Sequence, residues 1–116
     1  MEILHVALGG ICGVLLRFYV GQFLAGMLQV VPPWPTFCIN FVGSFCMGMA
    51  LTVLPNTSVR LFWTVGLLGG FTTFSSFAYE NVALLQRGEY GMCAIYCSAS
   101  VFFGILGAYL GIRVMQ

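Results

Sequence analysis

The chain has 116 residues, of which 60% are hydrophobic and only 6% are charged. That charged fraction is too small to cover the surface of a soluble globular domain. The formal net charge of +1 argues against a nucleic-acid-binding protein, which would carry a strongly basic patch. We therefore expect one integral membrane domain, residues 1–116, surrounded by the lipid bilayer and without a nucleic-acid partner.

Four apolar segments are long enough to span a membrane as helices, and in chain order they are residues 3–28, 36–54, 59–86 and 90–114. The first segment lacks a preceding basic region, so we interpret it as a membrane span and not as a cleavable signal peptide. Proline-containing stretches at residues 32–35 and 55–57 separate the first three segments. The pattern predicts an all-α membrane protein of four helices joined by short loops.

The positive charges give only a weak orientation signal. The chain has no lysine; Arg60 and Arg113 would lie on the side of the N-terminus, and Arg87 on the other side. So small a bias favours insertion in both orientations, which would allow an antiparallel homodimer. The alternative is a single orientation set by other features.

Small residues recur at helical spacing in two of the segments. They are Ser44 and Gly48 in the second, and Ser100, Gly104 and Ala108 in the fourth. Small residues let helices approach closely. The contact could lie between two copies of the chain or inside one copy.

The five cysteines lie within or at the ends of the predicted helices. Cys93 and Cys97 share a helix face, but no histidine or carboxylate pattern completes a metal site with them. An odd number of cysteines also argues against a disulfide framework. We interpret them as small apolar packing residues.

Polar side chains inside the predicted spans are functional candidates, because their burial in lipid is costly. They are Arg17 in the first span, Thr36 and Asn40 on one face of the second, Glu80 in the third, and Tyr96 and Ser100 on one face of the fourth. Each also has a structural interpretation. Hydroxyls bond back to their own helix, amides join helices, and arginine side chains snorkel to the interface.

The centre of the third segment reads Gly69-Gly70-Phe71-Thr72-Thr73. A glycine pair favours a helix break, and hydroxyls can satisfy the backbone groups that the break frees. We therefore predict that the third helix is broken near the bilayer midplane, where freed carbonyls can hold a cation. In an antiparallel dimer, such a cation would lie on the two-fold axis.

An aromatic stripe follows the predicted break. Phe74, Phe77 and Glu80 recur every three residues and so lie on one helix face. Because an aromatic ring has a positive edge, such a stripe can face a small anion. Ordinary core packing is the alternative.

These motifs resemble the Fluc (CrcB) family of fluoride channels. The stretch "GGFTTFSSF" is similar to the family signature GG-x-TTFSTF, and further similar stretches are "GGICGVLLRF", "PTFCINFVGSFCMG" and "ALLQRGEY". The resemblance implies a dual-topology antiparallel homodimer with two fluoride pores. It also implies a structural sodium ion held at the two-fold axis by the backbone carbonyls of Gly69 and Thr72.

The resemblance further assigns the pore. The residues that match pore-lining positions of the family are Asn40, Phe74, Phe77, Thr36, Tyr96, Ser100 and Glu80. Arg17 matches the arginine of the family's first helix, and we expect it to supply positive potential near a pore entrance. Pro35 and Gly104 depart from the family, which more often has glycine and serine there.

The expected function is passive, selective export of fluoride through the cell membrane, which lowers fluoride toxicity. One rival is a proton-coupled multidrug exporter, but it needs a buried carboxylate in the first helix, and the acid there is the terminal Glu2. Another is a non-conducting scaffold, which leaves Asn40 and the predicted break unexplained. An enzyme is disfavoured because the single histidine, His5, has no nucleophile paired with it in the pattern.

Overall fold

The structure, a computed structural model, describes residues 1–28 and 33–116. Pro32, the first proline of the predicted breaker stretch, lies outside the described residues. Within them the chain is helical and contains no β-strand. The elements are α1 (Glu2–Leu28), α2 (Trp34–Val53), α3 (Ser58–Leu61), a π-helical segment (Phe62–Leu68), α4 (Gly69–Phe71), α5 (Ser75–Gln86) and α6 (Tyr90–Met115).

Four helical stretches of the described chain are long and apolar enough to cross a membrane: Glu2–Met27, Trp34–Val53, Ser58–Gln86 and Tyr90–Met115. The prediction of an all-α chain with four spans is confirmed. Most large apolar side chains point outward, and few are buried inside the chain. That distribution suits a protein whose outer surface contacts lipid.

The helix ends follow from local chemistry. Helix α2 begins at Trp34, two residues before the predicted start, because Pro35 fits the first helical turn, where its missing N–H costs nothing. The helix ends before Leu54, which is extended (φ −82°, ψ 136°) as expected for a residue that precedes a proline. After α5, Gly88 takes a positive φ of 76° and the amide of Glu89 donates to the carbonyl of Leu84, which closes the helix end.

The third span consists of several helical pieces. The π-helical segment leads into α4, and Thr72 then turns extended (φ −82°, ψ 159°) before α5 begins at Ser75. Threonine side chains satisfy backbone carbonyls on this route. The hydroxyl of Thr64 donates to the Arg60 carbonyl, and that of Thr72 donates to the Leu68 carbonyl.

Two close helix contacts bring the spans together. Helix α1 packs on the π-helical segment and α4, where a Cβ at Gly13 would collide with the backbone carbonyl of Leu67. Helix α2 packs on α6, where a Cβ at Gly111 would meet the backbone carbonyl of Phe45, and one at Gly48 the carbonyl of Ala108. The glycines on these helix faces therefore serve packing inside one copy of the chain.

Replacement of Gly13 by alanine should destabilise the contact between α1 and the third span. The added methyl group meets rigid backbone, and overpacking of this kind costs about 1–3 kcal/mol. The free energy of unfolding in mixed detergent micelles, followed by tryptophan fluorescence, measures the loss. Gly26→Ala is the matched control, because a Cβ at Gly26 has no neighbour within 4 Å. Equal stability of the two variants would contradict this packing.

Candidate functional site

The side chain of Asn40 on α2 forms two hydrogen bonds with the backbone of one residue, Thr73. Its Nδ2 donates to the Thr73 carbonyl at 2.9 Å, and its Oδ1 accepts from the Thr73 amide at 2.8 Å. The side-chain amide thus takes the place of the two hydrogen-bond partners that the backbone of Thr73 would have in a continuous helix. Because unpaired backbone groups are costly in a membrane, this pair stabilises the irregular stretch between α4 and α5.

The same rearrangement frees two backbone carbonyls. In a continuous helix the Thr73 amide would donate to the Gly69 carbonyl, but here it donates to Asn40. The Ser76 amide would donate to the Thr72 carbonyl, but it donates to the Thr73 hydroxyl at 3.3 Å. Carbonyl oxygens released from helical bonding are hard ligands that suit a cation such as sodium. The donor chemistry of Gly69 and Thr72 therefore fits the expected ion.

Arg17 of α1 also contacts this stretch. Its Nε donates to the carbonyl of Gly70 at 3.1 Å, and the side chain is partly buried. A Cβ at Gly70 would lie 2.9 Å from the carbonyl of Gly10, so the glycine permits the approach of α1. The guanidinium group lies beside the irregular stretch, and its predicted effect on a pore entrance stays a prediction.

An open groove of about 380 Å³ runs along the irregular stretch. Its walls come from α2, the third span and α6, and they include Asn40, Ser44, Met47, Thr72, Thr73, Phe74, Phe77, Ser100 and Gly104. The Ser100 hydroxyl oxygen is buried and has no hydrogen-bond partner among the described residues. The groove thus combines apolar walls with an amide and an available hydroxyl.

Three aromatic rings form a chain along the third span and α6. The ring centroids of Phe74 and Phe77 are 5.6 Å apart, and those of Phe77 and Tyr96 are 5.0 Å apart. Phe74 lines the groove yet is 77% exposed in a single chain, whereas Tyr96 is fully buried. The aromatic row therefore runs from the open groove into the interior.

The row ends at a carboxylate that is held by two hydroxyl groups. The hydroxyl of Thr36 donates to Glu80 Oε2 at 2.7 Å, and the hydroxyl of Tyr96 donates to Glu80 Oε1 at 2.8 Å. Hydrogen bonds to a charged acceptor are stronger than neutral ones. Glu80, Thr36 and Tyr96 therefore form one cluster, which joins the groove through the ring of Phe77.

The structure groups the predicted site residues in three places. Asn40, Phe74, Phe77 and Ser100 line the groove, while the Glu80 cluster adjoins it and Arg17 contacts the irregular backbone. The pairing of Asn40 with Thr73 was not predicted from the sequence. No local signal could reveal that pairing, because the two residues lie 33 positions apart and meet only in the folded chain.

A second set of contacts was also missed. Asn81 is buried, its Nδ2 donates to the Phe77 carbonyl at 2.9 Å, and its Oδ1 accepts from the thiols of Cys93 and Cys97. The four-residue spacing of the cysteines was visible in the sequence. Their acceptor, on a different helix, was not.

These features define a multi-pass membrane protein with a polar site inside its spans. Residues 4–112 match the family described as "CrcB-like protein, Camphor Resistance (CrcB)". The chain belongs to this CrcB family, as the resemblance in its motifs predicts.

Named relatives are similar to nearly the whole chain. A protein of Thermus thermophilus is 47% identical over 115 residues, which cover 96% of this chain and 91% of the relative. One of Novosphingobium aromaticivorans is 44% identical over 117 residues, covering 96% and 93%. One of Allorhizobium ampelinum is 37% identical over 118 residues, covering 97% and 94%. All three are named "Fluoride-specific ion channel FluC".

Replacement of Asn40 by leucine should destabilise the fold, because it leaves the Thr73 amide and carbonyl without partners. Each unsatisfied group costs about 1–3 kcal/mol. Unfolding in mixed micelles measures the change. Thr52→Val is the control, since Thr52 bonds only to the Gly48 carbonyl of its own helix, and we expect a change within about 0.5 kcal/mol. An Asn40→Leu variant as stable as the control would contradict the bridging role of Asn40.

Proposed function

We propose that this protein is a fluoride-selective passive channel of the cell membrane that lets fluoride leave the cytoplasm. The observation that carries the proposal is the fluoride-channel name shared by relatives 37–47% identical over nearly the whole chain. The groove of Asn40, Ser100, Phe74 and Phe77 supports it, because these groups suit a small anion.

Selectivity for fluoride would come from neutral hydrogen-bond donors that lie close together along the groove. The second N–H of the Asn40 amide and the unpartnered hydroxyl of Ser100 can donate to fluoride, while Phe74 and Phe77 offer positive ring edges. The groove residues carry no formal positive charge. Conduction needs binding that is favourable yet releasable, and neutral donors meet that requirement better than a fixed cation.

The cluster around Glu80 would act at one end of the path. Its carboxylate accepts hydrogen bonds from the hydroxyl groups of Thr36 and Tyr96, and an arriving anion would need the same two donors. Fluoride and the carboxylate would therefore compete for the same two hydroxyls. Such competition keeps the anion from being trapped at this point.

No energy-coupling site is required for export. Hydrogen fluoride crosses lipid as a neutral acid and dissociates in the less acidic cytoplasm, which traps the anion. An inside-negative potential drives an anion outward by about 2.3 kcal/mol per 100 mV. The relatives are named as channels, and we infer that this chain likewise is not an enzyme.

The working unit would be an antiparallel homodimer. One side of the groove is open in a single chain, where Phe74 is 77% exposed beside the backbone of Thr72 and Thr73. Irregular backbone at membrane depth must be covered by protein or line a water-filled cavity. A second, oppositely inserted copy would cover it and complete two pores, in keeping with the weak bias of the loop arginines.

The irregular stretch would lie near the bilayer midplane, at the two-fold axis of that dimer. The carbonyls of Gly69 and Thr72 from both copies would then hold a sodium ion, which would supply positive charge between them. Support comes from the amides of Thr73 and Ser76, whose hydrogen bonds go to side chains and leave these carbonyls available.

Purified protein in liposomes should pass fluoride when a potassium ionophore sets an outward-driving potential. A fluoride electrode follows the efflux, and the same vesicles loaded with chloride are the control. We expect fluoride release within the recording time and chloride retention. Retention of both anions would contradict the channel. Proton-coupled movement of an organic cation would favour the multidrug exporter.

Replacement of Phe77 by isoleucine should lower the fluoride efflux rate by about tenfold or more, equal to about 1.4 kcal/mol in the barrier. The aliphatic side chain keeps the apolar character, though with a smaller volume, and removes the ring edge and the ring contact with Tyr96. Phe23→Ile is the matched control, because Phe23 is an exposed residue of α1 outside the groove. Gel filtration checks that both variants keep the same assembly. Equal efflux rates would rule out the ring-edge role.

A further inference from the structure

A cluster of two thiols and one amide lies between α5 and α6, apart from the groove. The Sγ atoms of Cys93 and Cys97 each lie 3.2 Å from the Oδ1 of Asn81. Asn81 is buried, and both cysteines are partly buried and unoxidised. The two thiols are donors to this buried oxygen, and neither cysteine lines the groove.

The geometry suits a metal ion held between two sulfur atoms. Residues four apart on a helix are neighbours on its surface. Because both Sγ atoms contact the same Oδ1, their separation cannot exceed twice 3.2 Å. A metal–sulfur bond measures about 2.3 Å, so an ion between two sulfurs needs them about 4.6 Å apart. The two contacts to Asn81 therefore allow a range of sulfur separations that includes this spacing.

The ligand set selects the kind of ion. The described residues contain no group of three or more histidine, cysteine, aspartate or glutamate side chains that could hold a metal. Zinc, which takes four protein ligands in structural sites, would be under-coordinated here. Thiolate ligands favour soft ions such as Cu(I).

We propose that Cys93 and Cys97 bind a soft monovalent ion of the Cu(I) class in two-coordinate form. Each thiol releases one proton to water, and the two thiolates with one M⁺ carry a net charge of −1. Both hydrogen bonds to Asn81 Oδ1 are lost at the same time. The residue types and distances that carry this assignment do not depend on what passes through the groove.

Occupation of the site would slow anion passage, an effect that rests on the proposed function. Asn81 Nδ2 donates to the Phe77 carbonyl at 2.9 Å, so Asn81 connects the thiols directly to the backbone of a groove residue. When the two thiol donors are lost, the Asn81 side chain is less constrained, and its hydrogen bond to the Phe77 carbonyl changes. The added negative charge also repels an anion beside Phe77. The cluster therefore couples the presence of a soft metal to the conduction path.

Ag(I) in chloride-free buffer is a suitable probe, because it has the charge and softness of Cu(I) without its oxidation. The full-length protein is treated with Ag(I) and then alkylated, and mass spectrometry locates the protected thiols. We expect Cys93 and Cys97 to be protected together at one ion per chain. Cys12 on α1 serves as the internal reference, and at this ratio of Ag(I) to chain its alkylation should equal that measured without metal.

The single variants C93S and C97S test shared ligation. Each should weaken Ag(I) binding at the remaining thiol by more than about tenfold, since even outer-shell changes cost about 10–100-fold in metal affinity. Protection of one cysteine that is unaffected by removal of the other would overturn the site. So would a failure of Ag(I) to protect either thiol in the unaltered protein, a measurement that requires no variant to fold.

Fluoride efflux tests the coupling separately. Protein that conducts without metal should slow severalfold with Ag(I), and the C93S variant should not respond. Metal binding with unchanged efflux would overturn the coupling and leave the binding site standing. Protein that conducts no fluoride even without metal would contradict the proposed function, while the alkylation result would still decide the metal site.

Discussion

The structure depends on one constraint, that backbone polar groups within a membrane must find partners inside the protein. The third span departs from regular helix at Thr72, and the side chain of Asn40 then pairs with both backbone groups of Thr73. Because these two hydrogen bonds satisfy the backbone of Thr73, the irregular stretch is retained at a small cost in free energy. It also leaves the Gly69 and Thr72 carbonyls available and opens the groove beside them.

Arg17 and Glu80, two ionic groups in the interior of the spans, are held by neutral partners and not by each other. Arg17 donates to the Gly70 carbonyl, and Glu80 accepts from two hydroxyls. The ion pair found in the described chain, Arg87 with Glu89, lies in the loop before α6. In the proposed channel, a passing anion would therefore meet dipoles and ring edges, whose modest attraction allows release.

Much of this could be predicted from the sequence, and the remainder follows from contacts between distant segments. The four apolar segments predict the four spans, and single polar residues such as Asn40 and Glu80 stand out against them. Their partners could not be assigned, because Thr73 and Tyr96 reach them only through helix packing. The π-helical segment packs against α1, and its altered winding was likewise not predicted from the sequence.

The order of the contacts along the chain has a consequence for how the protein is made. Arg17 and Asn40 both precede the third span, by 53 and 33 residues from the backbone groups that they bind. When the ribosome adds Gly70 and Thr73, the side chains that bind their backbone groups, Arg17 and Asn40, have already been synthesised. The third span has the lowest mean hydropathy of the four. Because its polar partners on the first two spans are already present, it can form these contacts as it enters the membrane.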